Sequence, residues 1–194
     1  MTPSQAIPQN IIDEFVGVAH GDFARLKALL EQYPILLNAS ATWNETAIQA
    51  ATQMGRIDIV EYLLARGAPL DICTASMLGL ADRVSAVLGA DPSLSQATGA
   101  HGIPLLYFPV IRGQKAIAEM LLSRGAQVNA GAGGNTPLHG AVLFNRPEMV
   151  SWLLSHGANP SLLDYNGKTP LQLAEENKNE PIAGILRHHA SAGK

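Results

Sequence analysis

The chain has 194 residues, which is enough for one domain of ordinary size, and its formal net charge is −3. Because this charge offers no basic surface for a phosphate backbone, we expect no nucleic-acid partner. Hydrophobic residues make up 47% of the chain and aromatic residues only 5%. This composition favours an extensive core built from short helices that pack through small side chains.

The chain contains a single cysteine, Cys73, so an intramolecular disulfide and a metal cluster held by thiolates are both excluded. The first eight residues lack a cationic region followed by an apolar core, so we expect no secretory signal peptide. No apolar run reaches the length of a membrane span. We therefore expect a cytoplasmic protein that does not bind membranes; a protein exported without a signal peptide would show the same features.

In the first half of the chain, apolar residues recur at helical spacing between glycines and prolines. Leu26, Leu29 and Leu30 give one helix a buried face, and Pro34 ends that helix. Gly55 then supplies a left-handed turn between two further helices at low steric cost. The sequence therefore predicts pairs of short helices joined by tight turns.

A longer period overlies these helices. The glycines and prolines that separate them recur at one constant spacing, as the pairs Gly21 and Gly79, Pro34 and Pro92, Gly55 and Gly113, and Gly67 and Gly125. We call this spacing the long period. We interpret residues 1–70 and 71–128 as two copies of one unit, followed by two repeats of ordinary type.

Two related motifs follow in the last third of the chain. The first is Thr136-Pro137-Leu138-His139, followed by Gly140-Ala141-Val142, and the second is Thr169-Pro170-Leu171-Gln172. In these motifs, and in the repeat length from Thr136 to Thr169, the chain resembles the ankyrin-repeat family. The resemblance implies an all-α repeat solenoid with about six helix-turn-helix units and short β-hairpin fingers.

The family pattern divides the chain into repeats. It implies one domain, 1–194, with repeats at about 11–40, 41–70, 71–98, 99–130, 131–163 and 164–190. The stretch from Gly67 to Gly79 is much shorter than the family has between those two glycines, so the finger between repeats two and three is expected to be missing. Pro109 falls inside the first helix of repeat four and is expected to bend or break it.

No set of residues in the sequence suggests catalysis or metal binding. By the resemblance, His139 has a structural task, which is to bond to neighbouring finger backbones with both ring nitrogens. The adjacent rings of His188 and His189 point about 100° apart on a helix, which is poor geometry for one metal ion. Cys73 is expected to be a small buried thiol. We therefore expect a protein that is not an enzyme and has no cofactor.

By the resemblance, a partner is expected to contact the finger tips and the concave ends of the first helices. Transferring those positions by repeat phase gives the candidate residues Trp43, Gln53, Met54, Met77, Leu78, His101, Ile111, Arg112, Leu143, Phe144 and Tyr165. The apolar members would form an exposed stripe, which is typical of an interaction site. For Met77 and Leu78, packing into the core is an equal alternative.

The resemblance implies a module that binds another protein, and we expect it to be a monomer. One alternative is a small-molecule or peptide binder that uses the gap left by the missing finger, near Met54, Met77, Tyr107 and Phe108. The other is a self-assembling structural protein, in which the apolar stripe is a homodimer interface.

Overall fold

The computed structural model describes residues 7–192, and in that range it contains α-helices and short 3-10 helices but no β-sheet. The α-helices are α1 (Gln9–Val18), α2 (Phe23–Gln32), α3 (Ala47–Gln53), α4 (Ile57–Leu64), α5 (Ile72–Leu78), α6 (Ala81–Ala90), α7 (Tyr107–Ile111), α8 (Lys115–Ser123), α9 (Pro137–Leu143), α10 (Pro147–Ser155), α11 (Pro170–Glu176) and α12 (Glu180–Ala192). The 3-10 helices are η1 (Pro34–Asn38), η2 (Pro92–Gln96) and η3 (Ala100–Gly102). The predicted all-α repeat solenoid is confirmed.

The Thr-Pro motifs start the first helices of the last two repeats. Thr169 precedes α11, and its hydroxyl accepts a hydrogen bond from the backbone N–H of Gln172. The Gln172 side chain in turn accepts from the backbone N–H of Thr169 at 2.9 Å. Pro170 occupies the first helical position, where a backbone N–H would have no intrahelical acceptor, so the missing N–H of proline removes no hydrogen bond. Helices of this length, about two turns, are marginal alone, so these caps and the packing of neighbours stabilise them.

The chain divides into two compact units, one ending at Thr74 and the other beginning at Ala75. Phe15, Leu26 and Leu63 are among the fully buried side chains of the first unit. Among those of the second unit are Phe108 and Leu121. The single domain over 1–194 and the six repeat boundaries remain predictions.

The long period of the sequence is also a period of the structure. The helices α6 and α8 follow α2 and α4 at this spacing, and η2 follows η1 at the same spacing. Each copy also contains one antiparallel bridge at the same phase, between Ser40 and Thr46 and between Thr98 and Pro104. The residues between α4 and α5, which are 65–71, contain no bridge. Local structure within the two copies is therefore closely matched.

Pro109 does not bend or break the first helix of repeat four, and that prediction is wrong. The helix α7 begins only at Tyr107, and Pro109 is its third residue. The N–H groups of Tyr107 and Phe108 bond to the carbonyls of Pro104 and Leu105, at 2.9 and 3.2 Å. The proline therefore lies in the first helical turn, where an N–H would have no intrahelical acceptor, and α7 is shortened instead.

Side chains that follow the turns connect neighbouring repeats. The Arg56 guanidinium donates to the Gly21 carbonyl in the first unit. In the second unit, Arg146 Nε donates to the Ile111 carbonyl at 2.8 Å. Gly21 lies in the turn before α2, whereas Ile111 ends α7, so its carbonyl would otherwise lack a helical partner. The Arg146 bond therefore holds the end of α7, where the candidate residues Ile111 and Arg112 lie.

Candidate partner-binding surface

The predicted binding residues lie at the ends of first helices and in the loops that precede them. Gln53 and Met54 end α3, Met77 and Leu78 end α5, Ile111 and Arg112 end α7, and Leu143 and Phe144 end α9. Trp43 lies in the bridged loop before α3, His101 in η3, and Tyr165 in the loop before α11.

These residues differ widely in exposure. Trp43 and Leu143 are each 41% exposed, Met54 is 42% exposed and Tyr165 is 70% exposed. His101 is exposed as well, whereas four of the candidates are partly buried: Gln53, Leu78, Arg112 and Phe144. Large apolar side chains that remain this exposed are the ones a partner can cover.

Met77 and Ile111 do not belong to an exposed surface, and for Ile111 the prediction is wrong. Both side chains have an exposed fraction of 0%. The Cγ2 atom of Ile111 lies so near Gly140 of α9 that a methyl group at residue 140 would be 3.1 Å away. Ile111 thus packs against the next first helix. For Met77, the structure selects the core alternative.

In the first unit, a buried carboxylate holds two of the candidate residues in place. The Glu45 side chain is fully buried, and its carboxylate accepts from the Trp43 indole at 2.8 Å and from the Gln53 amide at 2.7 Å. The Nε2 atom of His20 lies 2.9 Å from the same amide nitrogen and 3.7 Å from Glu45. A buried carboxylate is stable only with such donors, so Glu45 fixes the orientation of the half-exposed Trp43 ring.

The second copy lacks this polar cluster. The positions of the second copy that correspond to His20, Trp43, Glu45 and Gln53 are occupied, in this order, by Leu78, His101, Ile103 and Ile111. Ile103 and Ile111 are both buried. Sequence reasoning missed the burial of Glu45. The one available signal was the acid at a position where the other copy has isoleucine.

In the second unit, aromatic side chains support the end of α9. The rings of Tyr107 and Phe144 meet edge to face, with centroids 6.4 Å apart. Tyr107 is buried, and its burial, together with the nearby Tyr165, raises the pKa of its hydroxyl. Because Phe144 is partly buried against Tyr107, Leu143 and Tyr165 are the more accessible side chains here.

Beside Leu143 lies an open groove of about 560 Å³. Its lining residues are Val142, Leu143, Asn145, Asn177, Lys178, Asn179 and Pro181. The Asn179 amide donates to the Asn145 side-chain oxygen at 2.9 Å across the groove. The groove thus combines an exposed apolar side chain with carboxamides and one cation.

Models of known families match most of the chain. A single ankyrin repeat matches residues 43–75, and a model of three ankyrin repeats matches residues 72–164 and 110–193. The chain belongs to the ankyrin-repeat family.

Among similar proteins, the putative ankyrin repeat protein YahD of Escherichia coli is 30% identical over 192 residues, covering 90% of this chain and 94% of YahD. The human transient receptor potential cation channel subfamily A member 1 is 46% identical over 56 residues, and glycerophosphocholine phosphodiesterase gde1 of Schizosaccharomyces pombe is 38% identical over 108 residues. These matches cover 29% and 54% of this chain, but only 5% and 10% of the larger proteins.

In this ankyrin-repeat chain, the residue that forms the turn after the first helix differs between the earlier repeats and the last two. Gly55, Gly79 and Gly113 occupy that turn with positive φ. In the last two repeats the same turn is formed by Asn145 and Lys178, with φ of 51° and 54°. A residue with a Cβ is strained in this conformation, lysine more than asparagine. Both side chains line the groove beside Leu143.

His139, the histidine of the ankyrin Thr-Pro-Leu-His motif, has a structural role. Its Nε2 atom lies 3.1 Å from the Lys168 carbonyl of the next loop, and Nδ1 lies 2.7 Å from the Thr136 hydroxyl. The expected bond to a neighbouring finger backbone therefore forms at Nε2, whereas Nδ1 bonds to a side chain. Burial lowers the pKa of His139 and is only partly opposed by the Lys168 carbonyl.

The single thiol of the ankyrin chain, that of Cys73, is buried. Burial raises the pKa of the Cys73 thiol, and the Asp71 carboxylate adds to that effect, so the reactive thiolate is disfavoured. Within residues 7–192, no three His, Cys, Asp or Glu side chains are placed to hold a metal ion. None of the helices in that range is long and apolar enough to cross a membrane.

Proposed function

We propose that this ankyrin-repeat chain is a non-catalytic module that binds another protein through its first-helix ends and preceding loops. Ankyrin repeats generally mediate protein–protein interactions. The observation that carries the proposal is that large apolar side chains remain exposed at these positions in both units. They are Trp43 and Met54 in the first unit, and Leu143 and Tyr165 in the second.

The support beneath these side chains favours tight binding. The buried Glu45 carboxylate holds the Trp43 indole, so this ring loses little freedom when a partner covers it. In the second unit, the packing of Phe144 on Tyr107 fixes the end of α9, where Leu143 lies. When side chains are already ordered before binding, less conformational entropy is lost as the complex forms, and the affinity is higher.

The small-molecule alternative receives no support from the residues suggested for it. Met77, Tyr107 and Phe108 are 0%, 3% and 2% exposed, so these three side chains do not offer an open lining. Met54 alone among the four is exposed. We therefore prefer a protein partner, which needs surface side chains and no enclosed pocket.

The proposal is tested by capture of partners from a lysate of the source cell, with the full chain as bait. The test variant carries Met54→Glu and Leu143→Glu, which place charge in the apolar surface and leave Phe144 and its contact with Tyr107 intact. The matched control is Ile35→Glu, because Ile35 is 73% exposed but lies in η1, outside the predicted surface. All three chains are first shown by circular dichroism to fold alike.

A protein captured by the parent and by Ile35→Glu, but lost with the double variant, supports the proposal. The same captured set with all three baits, or no captured protein with the parent, contradicts it. The molecular mass in solution separates self-assembly from partner binding. A monomer mass at all concentrations excludes the homodimer alternative, whereas a dimer that the double variant dissociates would replace the proposal with self-assembly.

A further inference from the structure

The groove beside Leu143 differs from the rest of the candidate surface in its chemistry. It is open, with a volume of about 560 Å³, and its lining includes the apolar side chains of Val142, Leu143 and Pro181. The other lining residues are three asparagines and Lys178. Carboxamides pair well with peptide groups, since each offers both an N–H donor and a carbonyl acceptor.

Two of the groove's polar side chains occupy positions that disfavour them. Asn145 and Lys178 have positive φ, in a turn where three earlier repeats have glycine. For lysine, this conformation carries a strain that glycine would avoid. Backbone strain of this kind is concentrated at functional sites, where the side chain serves a function although its conformation lowers the stability of the fold.

The lining of the groove carries a positive charge with no negative charge beside it. Lys178 is its only charged lining residue. The acidic side chains on the same helix pair already have cationic partners: Glu175 and Glu180 bond to Arg187, and Glu176 bonds to Lys168. Lys178 itself makes no ion pair with any residue that the structure describes. Its ammonium group is thus left for a negative group from outside.

We infer that this groove binds an extended protein segment in which an acidic side chain stands beside an apolar one. The carboxylate pairs with the Lys178 ammonium, and the apolar side chain covers Leu143. The segment's backbone bonds to the carboxamides of Asn145 and Asn177. This inference rests on the proposed function and adds the chemistry of the partner to it.

The experiment selects peptides from a random library displayed on phage, with the full parent chain as the target. The affinities of the enriched peptides are then measured for the parent and for Lys178→Gly, Lys178→Glu and Leu143→Glu. Lys178→Gly removes the charge and relieves the strain at once, so the variant remains folded. Lys115→Ala is the control for net charge, because Lys115 lies on α8 of the same unit, outside the groove.

We expect the parent to enrich peptides with an acidic residue next to an apolar one. Lys178→Gly is expected to weaken their binding about five-fold and Lys178→Glu about ten-fold or more, whereas Lys115→Ala leaves it unchanged. Exchanging the peptide's acid for lysine is expected to restore binding to Lys178→Glu. Leu143→Glu is expected to abolish binding of the acidic peptides.

The possible failures are distinguishable. If enriched peptides require Leu143 but bind the Lys178→Gly and Lys178→Glu variants as well as the parent, the proposed function stands and the acidic segment is wrong. If the enriched peptides carry no excess of acidic residues, the inference is likewise overturned. If the parent enriches no peptides, both the inference and this part of the proposed binding surface fail.

Discussion

The ring of Tyr107 lies directly against the α carbon of Gly140. A methyl group added to Gly140 would be 2.6 Å from Tyr107 Cε2 and 2.7 Å from Cδ2, closer than carbon atoms approach in folded proteins. The small residue in the middle of α9 thus allows α7 and α9 to pack closely. Through Tyr107 this contact also supports Phe144, whose ring meets Tyr107 edge to face.

The first prediction is that Gly140→Ala destabilises the protein by about 1–3 kcal/mol. In an open helix the same change would be stabilising, but here the added methyl group displaces a buried ring. Urea unfolding measures the difference in the free energy of unfolding. In a Tyr107→Ala background the cost of Gly140→Ala should largely disappear, because the clashing ring is absent.

Gly184→Ala in α12 is the matched control for this prediction. No neighbouring atom lies within 4 Å of a Cβ placed there, and its φ is not in the positive range. We therefore expect Gly184→Ala to stabilise the protein by about 0.5–1 kcal/mol. Equal effects at residues 140 and 184 would show that the Tyr107 contact does not constrain the fold.

The second prediction concerns the strained turn at Lys178. Because lysine with φ of 54° is strained and glycine is not, Lys178→Gly should raise the free energy of unfolding by about 0.5 kcal/mol after the entropy cost of glycine is included. Asn145→Gly is the comparison, since asparagine tolerates this conformation and its side chain accepts a bond from Asn179. That variant should gain nothing or lose stability. A loss with Lys178→Gly would mean that its backbone is not under strain.

The sequence predicted those features that depend on local chemistry and chain spacing. Thr-Pro at 136–137 predicts a capped helix start, because a threonine cap and a first-position proline act within one turn. The long period predicts matched local structure for the same reason, since equal spacing of the turns places α2 and α6, and η1 and η2, at corresponding positions of the two copies. The exposure of Leu143 and Tyr165 also followed from repeat phase.

Features that depend on the neighbouring repeat were not predicted. Ile111 occupies the same phase as Gln53, yet it is buried because Gly140 lets α9 approach closely. The burial of Glu45 depends on donors from three different segments, including His20 and Gln53. Repeat phase gives the position of a side chain on its own helix, but the size and polarity of its neighbours decide whether it is covered.

The third prediction is that Glu45→Ala destabilises the protein by about 1–3 kcal/mol and frees the Trp43 ring. The substitution leaves the indole N–H and the Gln53 amide without their acceptor. In a Trp152→Phe background, Trp43 fluorescence should shift to the red and lose anisotropy as the ring becomes mobile. Glu61→Ala, at an exposed carboxylate of α4, is the control and should change stability by less than about 0.5 kcal/mol. Unchanged Trp43 emission in Glu45→Ala would contradict the positioning role of this carboxylate.

The fourth prediction is a pH dependence of stability that comes from His139. Its pKa in the folded protein lies below the ordinary value of 6.5, chiefly because the ring is buried. At a pH well above 6.5 the ring is neutral in both states, and the folded state keeps its full stability. As the pH falls through 6.5, the unfolded chain takes up the proton first, so the free energy of unfolding must decrease until the pH passes the folded pKa.

The decrease is measured by urea unfolding at about pH 7.5 and about pH 5.5, in the parent and in His139→Gln. Glutamine does not titrate, and its amide can still donate toward the Lys168 carbonyl, so the variant lacks only the His139 contribution to the pH dependence. The other five histidines are present in both chains, and their contributions cancel in the comparison. The parent should therefore lose more stability than the variant as the pH falls. An equal loss in both chains would mean that His139 has the same pKa in the folded and unfolded states, and that its burial between Thr136 and Lys168 does not exclude the protonated ring.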